Sequence, residues 1–408
     1  MTLDLSFLPG WIPPLDTSFA LALLLVIAPL AGEAVFRLLR WPRIVGYTLV
    51  GLLASASRFD GAGLELSEGF RHGLEVAMAV LLFELGSRVN LPWLRANPWL
   101  AATSVAEAGL SFSLVFGIGH YLGLGPGSSL ALAAVCMVSS PVVVMRVASE
   151  IGARGQVTER LLVLSALNTI YAVVAVQLVL GLLGQVHGNN ALEALRPPLW
   201  FLLNTLVLAI LLALAVGYAR RRLDLANENS ALLLLGLIFL ALVLVRLSGA
   251  SPILVPLLAG MLLRSRDPRP CLWPRHFGTA GGALVVLLFV ANGMAADWRL
   301  IVGGGLAGVA LLLLRAFAKV AGTVLFGRRS GLSTAQATAL GVALLPMSGT
   351  AFLLTASLYS AFPAMGMKVA AALAGAAMVM EILGPIATQW ALSHCGETPD
   401  GKEVTRGA

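Results

Sequence analysis

The feature that most constrains this chain is a series of thirteen long apolar segments joined by loops too short to fold alone. A helix needs about twenty apolar residues to cross the hydrocarbon of a bilayer. On that rule the sequence predicts helices near 17–38, 43–57, 70–90, 98–122, 127–149, 159–184, 198–219, 229–247, 250–265, 278–294, 300–327, 333–358 and 366–393. The ninth is short and ends in Pro256 and Gly260. Only 12% of the 408 residues are charged, against about a quarter in soluble domains, so lipid rather than water must cover the surface. The expected class is an all-α polytopic membrane protein. Residues 1–393 form one transmembrane domain and 394–408 a short polar tail.

The charges fall in a pattern that sets an orientation. Of the 27 basic residues, nineteen follow odd-numbered segments or lie in the tail, and six follow even-numbered ones: Arg58, Arg71, Arg196, Arg246, Arg299 and Lys368. Lys and Arg concentrate in cytoplasmic loops. The amino end is therefore expected outside and the tail in the cytoplasm, as in a bacterial inner (plasma) membrane. The first Lys or Arg is Arg37, so the amino end lacks the positive n-region of a signal peptide and the first segment is expected to be a retained helix. The net charge of +7 is spread over short loops, not gathered into a stripe, which argues against nucleic acid and for lipid headgroups. Cys136, Cys271 and Cys395 have neither metal-ligand nor disulfide-framework spacing. No cofactor motif is present; the glycines from Gly303 to Gly308 have no strand before them and suit helix packing instead.

Two segments are interrupted in matching places. The fifth carries Val138-Ser139-Ser140-Pro141 and the twelfth Pro346-Met347-Ser348-Gly349-Thr350. Proline inside a helix removes a hydrogen bond and frees a carbonyl. In lipid that is tolerated only where the break is buried or lines a wet cavity. Paired breaks in corresponding halves mark a transporter's midplane site. Their separation by seven segments, an odd number, predicts inverted repeat units at about 98–184 and 300–393. Two ordinary kinked helices are the alternative.

Several stretches, in order along nearly the whole chain, carry a resemblance: Trp41-Pro42-Arg43-Ile44-Val45-Gly46-Tyr47, Leu82-Phe83-Glu84-Leu85-Gly86, Val138-Ser139-Ser140-Pro141 with Arg146 and Gly152-Ala153-Arg154-Gly155, Phe289-Val290-Ala291-Asn292-Gly293-Met294 before Asp297, and Leu345-Pro346-Met347-Ser348-Gly349-Thr350. Together they resemble the monovalent cation/proton antiporter superfamily, in the branch of Kef-type and bacterial Na+/H+ exchangers. That resemblance implies exchange of Na+ or K+ for protons by alternating access, with the cation and proton as substrates; a homodimer is compatible with it. It also implies that Arg315 is the basic residue facing the ion site. The chain departs from the family at the ion site itself. Asn168-Thr169 stands where the family has an Asp-Asp or Asn-Asp pair, and Gly349-Thr350 where it often has Gly-Glu. Thr169 cannot ionise, so any proton coupling must use another group.

The remaining intramembrane charges supply the choices. A charge at the bilayer centre costs at least about 2.5 kcal/mol and needs a reason. Arg315 and Lys319 lie four apart on one face of the eleventh segment. Arg315 reads as an ion-site cation or as a strut for a carboxylate or freed carbonyls, and Lys319 as a second ion-site cation or, nearer the helix end, as a residue that snorkels to the interface. Glu107 and Glu381 are the deepest acids, each a proton carrier or a fixed partner for Arg315. Glu84 is expected to pair with Arg88 at i+4. Ser139, Ser140, Asn168, Thr169, Ser348 and Thr350, flanking Pro141 and Pro346, offer neutral oxygens to a hard cation, with freed carbonyls beside them. The same residues also suit plain interhelical hydrogen bonding. Two rival readings stay open: a transporter of this fold for an organic or anionic solute with Arg315 as counter-charge, and a transport-inactive membrane module.

Overall fold

A computed structural model of the chain describes residues 17–56, 68–184, 191–222, 228–266, 275–295, 298–347 and 349–399. All regular structure among them is helical: α1 (Thr17–Leu39), α2 (Arg43–Ala56), α3 (Glu68–Arg88), α4 (Leu91–Ala96), α5 (Pro98–Tyr121), α6 (Pro126–Cys136), α7 (Pro141–Glu150), α8 (Gln156–Leu183), α9 (Ala191–Arg222), α10 (Glu228–Ser248), α11 (Leu254–Arg266), α12 (Arg275–Met294), α13 (Trp298–Gly327), α14 (Thr334–Ala343), α15 (Gly349–Ala361) and α16 (Pro363–His394). Seven of the apolar segments are long enough to span by length and composition: α1, α5, α6 with α7, α8, α9, α13 and α16. The other expected segments are α2, α3, α10, α11, α12 and the α14–α15 pair, which makes thirteen in all. The short α4 was not anticipated; Asn90 caps it by accepting the Trp93 N–H at 3.2 Å.

The fifth and twelfth segments are each split in two. α6 stops at Cys136 and α7 starts at Pro141, while α14 stops at Ala343 and α15 starts at Gly349. Pro141 occupies the first position of α7, where its missing N–H costs nothing. Ser140 caps that helix, its Oγ accepting the Val143 N–H at 3.4 Å.

Packing shows the two-fold relation between the halves. With a seven-segment offset, α2 corresponds to α11, α3 to α12, and α5 to α13. The observed neighbours obey it: α5 packs on α13, α2 on α12 and α3 on α11. The two flanking pairs use the same device, a glycine from each helix at the contact. A Cβ at Gly51 would lie 2.1 Å from the Val290 carbonyl oxygen, and one at Gly293 2.4 Å from that of Thr48. Likewise a Cβ at Gly86 would lie 2.1 Å from the Leu257 oxygen, and one at Gly260 2.3 Å from that of Phe83. Only glycine lets these backbones meet, the close approach that helix association in lipid relies on.

Two apolar cores result. The larger is built mainly from α5 to α8 and α13 to α16, and a smaller one joins α3, α9, α10 and α11. Arg88 donates to Glu84 at 2.7 Å, the i+4 pair expected at the end of α3.

The segment after α16 docks rather than trailing away. Glu397 accepts the Val157 and Thr158 N–H groups and the Thr158 hydroxyl, each at 2.7 Å, and its own carbonyl accepts the Arg154 N–H at 2.9 Å. It thereby caps α8, whose N-cap residue Gly155 offers no side chain of its own. A Cβ at Gly155 would fall 2.3 Å from the Glu397 carboxyl carbon, so a side chain there would displace the capping carboxylate. Burial, reinforced by the nearby Glu397 charge, pushes the half-buried Cys395 thiol up to about 11, which leaves it an unreactive thiol.

Candidate functional site

The two breaks meet at the centre of the larger core, where the Ser140 N–H donates to the Pro346 carbonyl at 2.8 Å. A break frees carbonyls, and buried carbonyls must find donors. Here those from Cys136 to Val138 and from Ala343 to Pro346 are accounted for. Arg315, fully buried on α13, donates through Nε to Cys136 at 3.1 Å, through Nη2 to Val138 at 2.5 Å and through Nη1 to Leu345 at 2.7 Å. Lys319, one turn on, donates to the Met137 carbonyl at 2.9 Å. The Ser139 hydroxyl donates to Leu344 at 2.8 Å, and Thr388 on α16 to Ala343 at 3.1 Å. The C-terminal ends of α6 and α14 thus converge on two cations. Those ends carry the negative poles of the helix dipoles, so carbonyls supply much of what a counter-ion would.

Two expectations are corrected by this geometry. Lys319 does not snorkel to the interface; it is fully buried and forms an ion pair with Glu107 of α5. The reason is the close α5–α13 contact, where a Cβ at Gly322 would stand 2.3 Å from the Glu107 Cα, bringing that carboxylate within reach of α13. Arg315 is accordingly not the partner of either deep acid: its polar contacts are three carbonyls. The freed carbonyls, expected as cation ligands, are already hydrogen-bonded to protein donors.

The neutral side chains divide between the two sides of the crossing. Asn168 on α8 donates to the Ser139 hydroxyl at 3.2 Å while its Oδ1 has no partner among the described residues. Thr169 donates back to the Ser165 carbonyl at 2.9 Å. Glu107 accepts the Ser111 hydroxyl at 3.4 Å on the oxygen facing Lys319, and its second oxygen is open. Ser348 lies outside the described residues.

Glu381 sits apart from these groups, fully buried on α16, with both carboxyl oxygens lacking a hydrogen bond among the described residues. It shares a stripe of α16 with Gly384 and Thr388, three and seven residues on. That stripe lies against the second break, where a Cβ at Gly384 would approach the Pro346 Cα to 2.8 Å. The Asn292 amide of α12 lies beside the Glu381 carboxyl group without a hydrogen bond of full geometry, and its nitrogen is unpartnered. A Cβ at Gly349 would stand 3.3 Å from that nitrogen. Thr350, the next residue, buries a hydroxyl that has no partner either. Asn292 was missed as a site residue. Its only signal in the sequence is an amide inside the apolar run from Phe289 to Met294, easily absorbed into a family motif.

Among the described residues no group of three His, Cys, Asp or Glu side chains is placed to hold a metal ion. A family model described as "Sodium/hydrogen exchanger, transmembrane" matches residues 22–394. No curated protein matches the chain. Two structures of the sodium proton antiporter MjNhaP1 from Methanocaldococcus jannaschii share the fold. One, at pH 8, is 18% identical and covers 92% of this chain and 95% of its own, with a TM-score of 0.66. The other, from electron microscopy, is 17% identical over 93% and 97%, with a TM-score of 0.71.

Proposed function

The chain belongs to the sodium/hydrogen exchanger transmembrane family, and from that premise we propose that it exchanges Na+ or K+ for protons by alternating access. Membership makes it an integral membrane cation/proton antiporter rather than an enzyme. The observation that carries the finer reading is the crossing: two broken helices joined by the Ser140–Pro346 hydrogen bond, with two buried cations filling their carbonyl ends. The body that carries it, α5 to α8 with α13 to α16, makes up most of the larger apolar core, which also takes in residues of α3, α11 and α12, while a smaller core joins α3, α9, α10 and α11. One packed body moving against another is the arrangement that alternating access uses.

In this reading the ion and proton bind among Ser139, Asn168, Thr169, Thr350, Glu107 and Glu381, with Ser140, Pro141 and Ser348 shaping the breaks and Arg315 and Lys319 holding them. The order of its motifs supports a place in the Kef-type branch. The orientation puts the amino end outside and the tail in the cytoplasm of a bacterial inner membrane. Thr169, which cannot ionise, favours the rival of an organic or anionic solute, but Arg315 then has its Nε and both Nη groups committed to carbonyls. Proteoliposomes holding an acid-inside pH gradient discriminate between them. Added Na+, Li+ or K+ is expected to dissipate the gradient. Dissipation by an organic ion alone would favour the rival, and none with any ion would favour an inactive module.

A further inference from the structure

We propose that the exchange itself takes place on Glu381, in a monovalent-cation site completed by Asn292 and Thr350, and that Glu107 is a fixed partner of Lys319. This inference rests on the antiport reading above. The first ground is elimination by geometry. Around the crossing the carbonyls from Cys136 to Val138 and from Leu344 to Pro346 each already accept a hydrogen bond. Glu107 is tied to Lys319, so a cation arriving there meets a fixed positive charge. Two atoms near the crossing also lack a partner among the described residues, but Glu107 Oε2 belongs to the carboxylate that Lys319 already balances and Asn168 Oδ1 is a neutral amide oxygen. The acid with no fixed cation beside it lies on the other side of the second break. There Glu381, Asn292 and Thr350, all buried, present unpartnered polar atoms among the described residues.

Charge supplies the second ground. α16 packs against α2, α6, α7, α13, α14 and α15. The described charged side chains of those elements are Arg43, Arg146, Glu150, Arg315 and Lys319. Arg43 is paired with Glu33 and Glu150, and Arg146 lies among Glu84, Arg88, Tyr47 and Glu150. Arg315 is held by carbonyls and Lys319 by Glu107. None of them pairs with Glu381. A buried carboxylate with no ion-pair partner is costly to hold charged. It is stabilised either by a proton or by a bound cation, and that competition is what an exchanger needs.

The carboxyl oxygens and the Thr350 hydroxyl are hard oxygen donors suited to an alkali cation, and the Asn292 amide, whose unpartnered atom is its nitrogen, lies where it can donate to the carboxylate and hold it in place. Loss of one proton from Glu381 to water leaves one negative charge, which one monovalent cation neutralises. Both loaded forms of the site then carry the same charge, so exchange is one for one and electroneutral.

The test uses the full chain, purified and reconstituted, with Glu381→Gln and Glu381→Asp beside the parent protein. The parent is expected to show cation-dependent proton movement that is unaffected by clamping the membrane voltage, and a rise in melting temperature with the transported cation. Glu381→Gln should lose both while matching the parent's melting temperature without cation, since Gln fills the same space without a buried acid. Glu381→Asp should keep exchange with a shifted half-saturating cation concentration. If the parent moves no protons with any alkali cation, the antiport reading fails first. If the parent is active and Glu381→Gln exchanges and is stabilised equally well, the assignment to Glu381 is overturned. Should Glu381→Gln not fold, Asn292→Ala and Thr350→Val decide: each is expected to raise the half-saturating concentration about tenfold, the first through loss of a hydrogen bond that positions the carboxylate and the second through loss of an oxygen ligand. Unchanged values would overturn the site.

Discussion

Two buried cations four residues apart on α13 do different work. Lys319 balances Glu107, so removing either partner leaves an uncompensated charge in the core. Lys319→Met or Glu107→Gln alone should destabilise the protein by about 3–5 kcal/mol, whereas the double change should recover most of that loss. Thermal unfolding in detergent across the four proteins gives the coupling; additive losses would contradict a pair. Arg315 fixes the crossing through a planar fork that reaches three carbonyls from two helices. Lysine is a point charge with a single head, so Arg315→Lys should orphan at least one of those carbonyls at about 1–3 kcal/mol each and depress transport. The presence of these charges was legible in the sequence because charge in an apolar segment stands out. Their partners were not. Glu107 and Lys319 lie on α5 and α13, and no local pattern says which of two deep acids a distant lysine will meet. Arg315's carbonyl partners were one of the readings open from sequence, since a broken helix frees acceptors, but its engagement by three at once is a matter of three-dimensional geometry.

At the scale of elements, the breaks were readable because proline and small hydroxylated residues cannot sit inside a continuous helix without consequence, and both segments do split there. The glycine contacts were not readable one by one, since the chain has 43 glycines and only the packing shows which of them touch a neighbouring backbone. Gly260→Ala should therefore push α11 off α3, costing about 1–3 kcal/mol as an overpacked contact. Gly73→Ala, with nothing within 4 Å of its added Cβ, should be tolerated; equal losses of melting temperature would contradict the close-contact account. The docked tail was also invisible, because the short stretch Cys395-Gly396-Glu397-Thr398-Pro399 after a helix carries no periodicity. Glu397→Ala removes a cap with three donors and should cost about 1–3 kcal/mol. Hydrogen exchange should rise at residues 154–158, and unchanged exchange there would show that the tail does not hold α8.

For the whole molecule, the segment count, the inverted repeats and the family were within reach of the sequence, since lipid imposes length and polarity rules on every span. The site was reached less completely: the breaks and the deep acids were identified, but not Asn292 or the division between a paired and an unpaired carboxylate. The basic residues predict a cytoplasmic tail, so a reporter fused at Ala408 that functions only in the cytoplasm should be active. One measurement goes to the centre of the account. Vesicles containing the purified protein and an acidic interior are given a trace of radioactive Na+ or K+ outside, and its accumulation is followed. Antiport predicts that outward proton flow drives the cation above its equilibrium level, and that accumulation disappears when no pH gradient is imposed. Equilibration without accumulation, or uptake indifferent to the gradient, would contradict proton-coupled exchange by this chain.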